Sequence, residues 1–527
     1  MREDHSIQNQ IHSGALRVAF ALLVIYCVAG AGLLIYGGAR LLHNPWDNTS
    51  FESPQTYAAI YGAQTGKLYI PMSQPPYTLQ AYAPLYYAID VCVAWAAHLD
   101  IDRFIFLARL LSYIAFLLCG GMVFLICRAA SIPRLHAALA ALMMLGQPDM
   151  MGWNSSPRPD MLFLLAMLIS LYCVVRWEDD LWRGCVLSGF FAGIALLIKQ
   201  PGFAVGAGIF AVWVLRKEFK KAAVLTVSAL SPVVVTLGIL YWRRDPFFQQ
   251  IIFAGKSLWS IRDAEYFVFF HCLSAFWIVP LAIGVIGFIR AVRLDSKAQM
   301  IAAFALVNWL VGVSGLPQLG GYLNYLFAGL AGCALLLPYA IQGVQDRVRT
   351  TAFVLILSAA LGWASWTSYV YGRGLINYFH RPPESSVTWL RPYRVLSDIT
   401  TMNLHGREPN LLDPVGARLL ELTGNWDPIP IVENLKRGDY DLIVLTRAGD
   451  QHMMPSYRGI SYFSPQETGI MNERYEYLCT TAGAVVLKPR GREVAATPEM
   501  FSRMLRAHCE IGDPEIAPDL VVSPGAR

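Results

Sequence analysis

The sequence predicts a polytopic α-helical membrane protein that ends in a small soluble α/β domain. Hydrophobic residues make up 55% of the 527 residues and charged residues only 15%, and the mean hydropathy is +0.42. Because a soluble globular protein carries about 25% charged residues, this chain has too little charge to cover a water-facing surface of its size. Nearly all long apolar runs lie between about residues 17 and 371, and the remainder has the composition of an ordinary polar domain.

About eleven segments are apolar enough to be transmembrane helices, each approaching the roughly 20 residues that a helix needs to cross the hydrocarbon core. The first is longer than a signal-peptide core and lacks a clear small-residue cleavage site, so we expect it to be retained. The predicted helices lie near residues 17–38, 104–127, 135–152, 160–176, 184–199, 201–215, 222–242, 267–290, 298–314, 322–342 and 351–371.

The stretch from Tyr82 to Leu99 is ambiguous, because it is apolar but contains Pro84, Asp90 and His98. Loop charge decides its placement. If it lies along the membrane surface, thirteen basic residues fall in five short loops on the N-terminal side of the membrane, as the positive-inside rule expects for the cytoplasm. If it crosses, all five loops move outside, so we predict a surface-lying helix. The residues are Arg128, Arg134, Arg176, Arg183, Arg216, Lys217, Lys220, Lys221, Arg290, Arg293, Lys297, Arg347 and Arg349.

This topology places the first long loop, about residues 39–103, on the periplasmic side of a bacterial inner membrane. The loops at 149–160 and 243–266 and the polar tail lie on the same side. We therefore predict a transmembrane domain of residues 1–375 and a periplasmic domain of residues 376–527, which is long enough to hold one core.

Short apolar runs in the tail, flanked by polar or turn residues, predict strands beside helical patterns, for example Tyr440 to Thr446 and Gly483 to Pro489. Cys479 and Cys509 are the only cysteines of the tail. An oxidising periplasm permits a disulfide between them without requiring it. The other eight cysteines fall in or beside apolar segments, where a free cysteine behaves as a small apolar residue.

Several classes of function find no support in the sequence. The formal net charge of +5 is modest and gives no reason to expect a nucleic-acid partner. No CxxC or Cys/His ligand spacing indicates a structural zinc site. The sequence also contains no phosphate-binding P-loop and no dinucleotide-binding fingerprint.

Glu52 is the most informative acid of the first long loop, which is dense in aromatic residues and prolines and has few charges. A lone carboxylate beside apolar residues near the bilayer surface is desolvated, which raises its pKa toward that of a useful general base. The same acid could instead cap the helix that follows it, and the residue alone does not decide between these roles.

Buried or misplaced charges form the next candidates. Arg158 and Asp160 stand at the head of a predicted span, where the helix dipole stabilises an acid; they are either functional or an interfacial ion pair. Lys199 lies between two spans with almost no loop and breaks the positive-inside trend. Such a charge is a functional candidate, and snorkelling to the headgroups is the alternative. Arg109, about one turn into its span, has the same two interpretations.

Four cations of the third periplasmic loop also run against the topology, which suggests that they bind an anion such as a lipid phosphate. Attraction to anionic headgroups explains any one of them equally well. Further along, the stretch from Pro317 to Phe327 combines glycines, which allow close backbone approach, with Asn324 and Tyr325; ordinary helix packing is its alternative explanation. The four cations are Arg243, Arg244, Lys256 and Arg262.

In their order and placement these motifs resemble those of bacterial GT-C glycosyltransferases, the group that includes dolichyl-phosphate-mannose protein mannosyltransferases and aminoarabinose transferases. The resemblance covers about residues 15–375 and, more loosely, the tail. Many relatives carry an Asp-Glu pair in the first loop, whereas Phe51 precedes Glu52 here, so Asp47 is a reserve candidate. The motifs are Glu52, the spaced Tyr57, Gly66 and Tyr69, the aromatic run from Tyr82 to Tyr87, and the segments Arg158–Asp160, Ile198–Gly202 and Gly320–Tyr325.

The resemblance implies inverting transfer of a sugar from a polyprenyl-phosphate donor to a glycan, lipid or protein acceptor, with membrane lipid around the site. In this hypothesis Glu52 is the general base, and Asp160 orients the acceptor or a cation. No cofactor is required, and the use of a divalent metal stays open. The residues expected to bind substrate are Tyr57, Tyr82, Arg158, Lys199, Arg243, Arg244, Lys256, Arg262, Asn324 and Tyr325.

Two other functions stay open at this point. One is a non-enzymatic translocase of lipid-linked oligosaccharides, and the other is an O-antigen ligase or polymerase. Transporters often have paired halves with charges near the bilayer midplane. In this sequence the candidate charges gather at one face and no two-fold pattern is visible, which favours an enzyme.

Overall fold

The structure is a computed structural model, and the part of the chain that it describes forms a helical membrane region followed by a small mixed-sheet domain. The predicted helix at 351–371 and the candidate residues Lys256 and Arg262 lie outside the described residues. Those residues are 2–44, 47–48, 52–255, 259–261, 265, 275–318, 321–342, 387–446, 456–457, 460–480, 484–496 and 500.

The helices of the membrane region follow the predicted apolar segments closely. A six-residue π-helical stretch, Leu181–Val186, leads directly into α7. In chain order the helices are α1 (Arg2–Leu41), α2 (Glu52–Thr65), α3 (Pro84–Ala96), α4 (Ile101–Ala129), α5 (Arg134–Leu145), α6 (Asp160–Arg176), α7 (Leu187–Ile198), α8 (Phe203–Leu215), α9 (Phe219–Trp242), α10 (Phe247–Gly255), α11 (Ala275–Ala291), α12 (Ser296–Gly315) and α13 (Phe327–Ile341).

Six helices within the described ranges are long and apolar enough to cross a membrane, or seven if one bent pair counts as a span. The predicted number of eleven is not confirmed, because several predicted segments form helices of only 10–17 residues, among them α5. The bent pair joins Pro148–Ser155 to α6 at an angle of 106°. Two prolines, Pro157 and Pro159, lie in the break and prevent a continuous helix.

The ambiguous stretch from Tyr82 to Leu99 forms α3, a helix of 13 residues. At 1.5 Å per residue it is about 20 Å long, which is shorter than the roughly 30 Å hydrocarbon core. Pro84 occupies the first helical position, where a missing amide N–H has no cost. Helix α3 is therefore too short to cross the bilayer, and it packs against α2 within the first loop.

The membrane region is layered around α13. The apolar window of Leu323–Ile341 is 89% buried, whereas that of α9 is only 11% buried. Helix α13 packs against α11, α12, α5 and α4. A helix that is apolar all round belongs either inside a protein or against lipid, so α13 is the central helix and α9 presents its apolar side chains outward.

The C-terminal domain contains a four-stranded sheet with the order β1-β2-β6-β5. Strand β1 is parallel to β2, and the other neighbours are antiparallel. The two predicted strands are present as β2 and β6. The strands are β1 (Val395–Ser397), β2 (Leu442–Thr446), β3 (Ser456–Tyr457), β4 (Ile460–Ser461), β5 (Tyr475–Thr480) and β6 (Ala484–Pro489); the helices are α14 (Thr400–His405), α15 (Pro414–Leu422), α16 (Ile429–Arg437) and α17 (Pro465–Arg474).

Two clusters of buried apolar side chains pack on the sheet, and one of them includes Tyr77 of the first loop. The ring of Tyr77 lies 5.5 Å from that of Trp426. The backbone N–H of Leu412 donates to the carbonyl of Pro76 at 3.3 Å. Cys479 is buried and disulfide-bonded, while Cys509 lies outside the described residues. The domain is thus docked on the first long loop, close to the sequence-predicted site.

Candidate active site

The break between the two halves of the bent pair carries a buried turn, residues 156–160. The N–H of Arg158 donates to the carbonyl of Ser156 at 2.8 Å. From α3, the hydroxyl of Tyr86 donates to the carbonyl of Pro157 at 2.7 Å. Backbone polar groups in a buried, irregular turn need hydrogen-bond partners. The turn is therefore held by a hydrogen bond within itself and by one from α3, and these bonds fix the positions of Ser156 and Arg158.

Three elements converge on Asp160, the first residue of α6. Its Oδ1 accepts hydrogen bonds from Lys199 Nζ at 2.7 Å and from Asn324 Nδ2 at 2.8 Å. Arg158 Nε lies 3.9 Å from Oδ2. Lys199 follows the last residue of α7, and Asn324 lies in the turn that leads into α13. Because all four side chains are buried, their charges interact with little screening by water.

Aromatic rings line this cluster. Arg158 Nη2 donates to the hydroxyl of Tyr82 at 2.8 Å, and the guanidinium carbon lies 4.1 Å from the ring centre of Trp153. Lys199 Nζ lies 4.6 Å from the ring centre of Tyr325. Ring faces attract cations, so the rings help to hold both cations. Tyr82 and Tyr325 are partly exposed, which gives the cluster an open edge.

Glu52, the first residue of α2, is fully buried and paired with Arg109. Arg109 Nη2 and Nε lie 2.5 and 3.1 Å from Oε2, and Ser156 Oγ donates to Oε1 at 2.5 Å. Burial raises the pKa of Glu52 above its usual value, an effect that the nearby Arg109 opposes. Arg109 also donates to the carbonyls of Leu41 and Asn44. The acid is thus held on both of its oxygens.

The turn at 156–160 connects the two charged groups. Ser156 contacts Glu52, and two residues later Arg158 contacts the cluster around Asp160. The carboxylate of Glu52 and the cations Arg158 and Lys199 are therefore brought together through contacts with one turn. This arrangement provides a proton acceptor beside an anion-binding position.

The C-terminal domain adds a further acid near the cluster. Asp413 is buried, and burial raises its pKa to about 6, an effect that a backbone hydrogen bond from Gly416 and the charge of Arg158 both oppose. Asp413 also caps α15, because its Oδ1 accepts from the N–H of Gly416 at 2.8 Å. Sequence reasoning did not find this residue, and nothing in its local pattern distinguishes it from an ordinary helix cap.

The structure brings six of the predicted substrate-binding and catalytic residues into one cluster, and two predicted cations lie elsewhere. Arg243 and Arg244 are exposed at the end of α9. Arg243 Nη2 donates to the carbonyl of Gly66 at 2.6 Å, so it ties the first loop down. Tyr57 lies on α2, where it interacts with Tyr61. The clustered residues are Tyr82, Arg158, Asp160, Lys199, Asn324 and Tyr325.

The pairing of Arg109 with Glu52 was missed, although both residues were candidates. The signal was available in principle, since an arginine inside a membrane span needs a carboxylate or backbone carbonyls as partners.

Asp47, the reserve candidate, has both carboxylate oxygens occupied by Ser53, Thr400 and Thr401. Within the described ranges, no group of three or more His, Cys, Asp and Glu side chains forms a candidate metal site.

Comparisons with known proteins agree with this architecture. A sequence profile of the family described as dolichyl-phosphate-mannose-protein mannosyltransferase matches residues 94–242. No functionally curated protein matches the sequence significantly. Among solved structures, ArnT from Cupriavidus metallidurans is similar both in the apo state and bound to undecaprenyl phosphate. Each comparison has a TM-score of 0.50 at 14% identity and covers 90% of this chain and 98% of ArnT.

Fold and site together define a multi-pass membrane protein with a buried polar site beside its first long loop. More particularly, the chain has the GT-C fold of membrane glycosyltransferases, and the resemblance predicted from the sequence motifs is confirmed. The matched profile spans Arg109, Arg158, Asp160 and Lys199, and it does not reach Glu52, Tyr82, Asn324 or Tyr325.

Proposed function

We propose that this protein is an inverting glycosyltransferase that moves a sugar from a polyprenyl-phosphate donor to a hydroxyl group of a cell-envelope acceptor on the periplasmic side. One observation carries the proposal: a single buried turn contacts both charged groups, because its Ser156 bonds to Glu52 and its Arg158 lies beside Asp160. Lys199 pairs with the same Asp160. The undecaprenyl phosphate bound to ArnT, a protein of similar fold, supports the class of donor.

The donor phosphate would bind to Arg158 and Lys199. An arginine fork and a lysine point charge both pair well with phosphate oxygens. Asp160 pairs with both cations, at 3.9 Å from Arg158 Nε and 2.7 Å from Lys199 Nζ, and an incoming phosphate would share them. The partly exposed rings of Tyr82 and Tyr325 mark the edge through which the headgroup would enter. Asp160 would keep Lys199 and Asn324 in place during the exchange.

Glu52 would act on the acceptor. As the acceptor oxygen attacks the anomeric carbon, Glu52 takes the hydroxyl proton and the bond from that carbon to the phosphate oxygen breaks. Both electrons of the broken bond leave with the polyprenyl phosphate, whose charge the cations stabilise. A single displacement inverts the anomeric centre. Because Glu52 is fully buried between Arg109 and Ser156, the acceptor has to displace one of these contacts.

Two observations support the periplasmic side. The loops on the opposite face are rich in lysine and arginine, as expected for the cytoplasm. Cys479 of the C-terminal domain is disulfide-bonded, and disulfides persist in oxidising compartments such as the periplasm. Both observations support the proposal that the first loop, the turn and the C-terminal domain lie outside the cytoplasm of a bacterium.

The release of polyprenyl phosphate tests the reaction class. Purified protein incubated with a panel of polyprenyl-phosphate sugars and an envelope extract as acceptor is expected to release polyprenyl phosphate, measured by mass spectrometry. A translocase would move lipid-linked oligosaccharide across vesicles without any release. A ligase or polymerase would consume a lipid-linked oligosaccharide instead of a monosaccharide carrier. Either of these two outcomes would replace the proposed function.

The dependence of transfer on pH follows from the burial of Glu52. Its raised pKa means that the base becomes protonated, and the reaction slows, at a higher pH than for an exposed glutamate of pKa about 4.3. We therefore expect kcat/KM to fall as the pH drops through this raised value, with recovery at neutral pH. A profile of kcat/KM between pH 4 and 8 checks this, and a rate that is flat down to pH 4.5 would contradict it.

A further inference from the structure

Asp47 links the C-terminal domain to the helix that begins with Glu52. Its Oδ1 accepts hydrogen bonds from Thr401 Oγ1 at 2.8 Å and from Ser53 Oγ at 2.9 Å. Its Oδ2 accepts from Thr400 Oγ1 and, at 3.4 Å, from the N–H of Ser53. The N–H of Asp47 in turn donates to Thr401 Oγ1 at 3.2 Å. One carboxylate thus joins two threonines of α14 to the residue that follows Glu52.

This contact fixes the first turn of α2. An aspartate that accepts hydrogen bonds at a helix N-terminus caps that helix and orients its first residues. Glu52 belongs to this turn, and its side chain meets Arg109 and Ser156 with short hydrogen bonds on both oxygens. Those contacts depend on the direction in which α2 starts. A displacement of about 1 Å at a reacting group costs on the order of 10²-fold in rate.

The same short helix also contacts the element that carries the partner of Glu52. His405, at the end of α14, lies with Nε2 3.4 Å from Oδ1 of Asp102, in the first turn of α4. Arg109 follows on α4, about two turns later. Helix α14 therefore contacts both α2, which carries Glu52, and α4, which carries Arg109.

We propose that the C-terminal domain is a positioning part of the active site, in which Thr400 and Thr401 hold Asp47 and Asp47 holds the turn that carries Glu52. This inference rests on the proposed function, since it takes Glu52 as the base. It assigns Asp47 a positioning role in place of the reserve catalytic role. It also means that anything that shifts the domain, such as an acceptor seated on it, changes the position of the base.

The test removes the two hydroxyl groups with little change of volume. In a Thr400→Val/Thr401→Val variant we expect kcat for transfer to fall about 10-fold or more, with the KM for the lipid donor nearly unchanged, because only the reacting geometry is lost. The Thr400→Ser/Thr401→Ser variant keeps the hydroxyls and is expected to restore kcat. Thr468→Val is the matched control, since that buried hydroxyl bonds within the described residues to the carbonyls of Ser464 and Pro465, at the start of α17.

A second variant tests the effect of Asp47 on the protonation of Glu52. The charge of Asp47 raises the pKa of Glu52, which Arg109 from α4 and Ser156 from the turn oppose. We expect Asp47→Asn to lower kcat and to move the acidic limb of the pH profile to lower pH. A residue with a purely structural role would lower the amount of folded protein and leave that limb unmoved.

The outcomes separate this inference from the proposed function. If the double valine variant transfers as fast as the Thr468→Val control while Glu52→Gln is inactive, the positioning role is wrong and the proposed function stands. If Glu52→Gln keeps full activity, Glu52 is not the base and this inference fails with that assignment. If the unmodified protein releases no polyprenyl phosphate, the proposed function itself fails. If the double valine variant does not fold, judged by thermal unfolding and undecaprenyl phosphate binding, the pH profile of Asp47→Asn decides, and an unmoved limb overturns the inference.

Discussion

Replacing Glu52 with glutamine is expected to lower the rate of glycosyl transfer by about 10²–10⁴-fold, the usual contribution of a positioned general base. Glutamine has nearly the same shape and can still accept a hydrogen bond from Arg109, but it cannot take a proton from the acceptor. The measurement is the initial rate of polyprenyl phosphate release at saturating donor and acceptor. Loss in kcat with little change in the KM for donor would place the effect in the chemical step.

Two controls make the Glu52→Gln result interpretable. The variant should still bind undecaprenyl phosphate, because the cations of the cluster are unchanged. Glu433→Gln, at a half-exposed position of α16 in the C-terminal domain where the carboxylate pairs with Lys436, should transfer like the unmodified protein. If Glu52→Gln retains more than about a tenth of the activity, Glu52 is not the general base, since such a base contributes at least about 10²-fold.

Replacing Lys199 with methionine is expected to weaken binding of undecaprenyl phosphate by about 10²-fold or more. Truncating one member of a buried, hydrogen-bonded charge pair typically costs about 2–5 kcal/mol in binding. The same change leaves the buried Asp160 with one cation fewer. We therefore expect the free energy of unfolding to fall by about 3–5 kcal/mol. Fluorescence quenching measures the affinity for the lipid phosphate. Thermal unfolding in detergent measures the change in stability.

Lys67→Met is the matched control for Lys199→Met. Lys67 lies in the first long loop and is exposed, so its loss should change neither binding nor unfolding appreciably. A Lys199→Met protein that binds undecaprenyl phosphate as tightly as the Lys67→Met protein would remove Lys199 from the phosphate site.

The positions of the helices were predictable from hydropathy, whereas the number of spans was not. Segments such as 135–152 and 201–215 are apolar but form helices of only 12 and 13 residues. Hydropathy measures where apolar residues are, and it does not register where prolines interrupt a helix. The break at Pro157 and Pro159 is the clearest example, because it produces the bent pair on which the site is built.

The buried cluster was predictable for a related physical reason. A charge placed among apolar residues has to find a partner, so Arg158, Asp160 and Lys199 were conspicuous in the sequence. Which partner each one finds depends on packing between distant segments. Glu52 and Arg109 are 57 positions apart, and local patterns cannot show that they meet.

Charge alone does not show whether an exposed cation belongs to a site. Arg243 and Arg244 are candidates for the phosphate because they carry the wrong sign for their side of the membrane; both are exposed, and Arg243 donates to the carbonyl of Gly66. A surface cation needs no partner, so its presence does not identify a site. The role of Asp47 was also out of reach, since it depends on contacts with residues more than 350 positions away.

The burial of Glu52 also affects the competing reaction, in which water hydrolyses the donor. A sugar-phosphate donor is wasted if water replaces the acceptor, and a base open to solvent would activate water readily. Here Arg109 and Ser156 hydrogen-bond to the two carboxylate oxygens of the buried Glu52, and closed sites prevent such side reactions. On this proposal the resting protein keeps a loaded donor intact, and donor hydrolysis is slow whenever no acceptor is present.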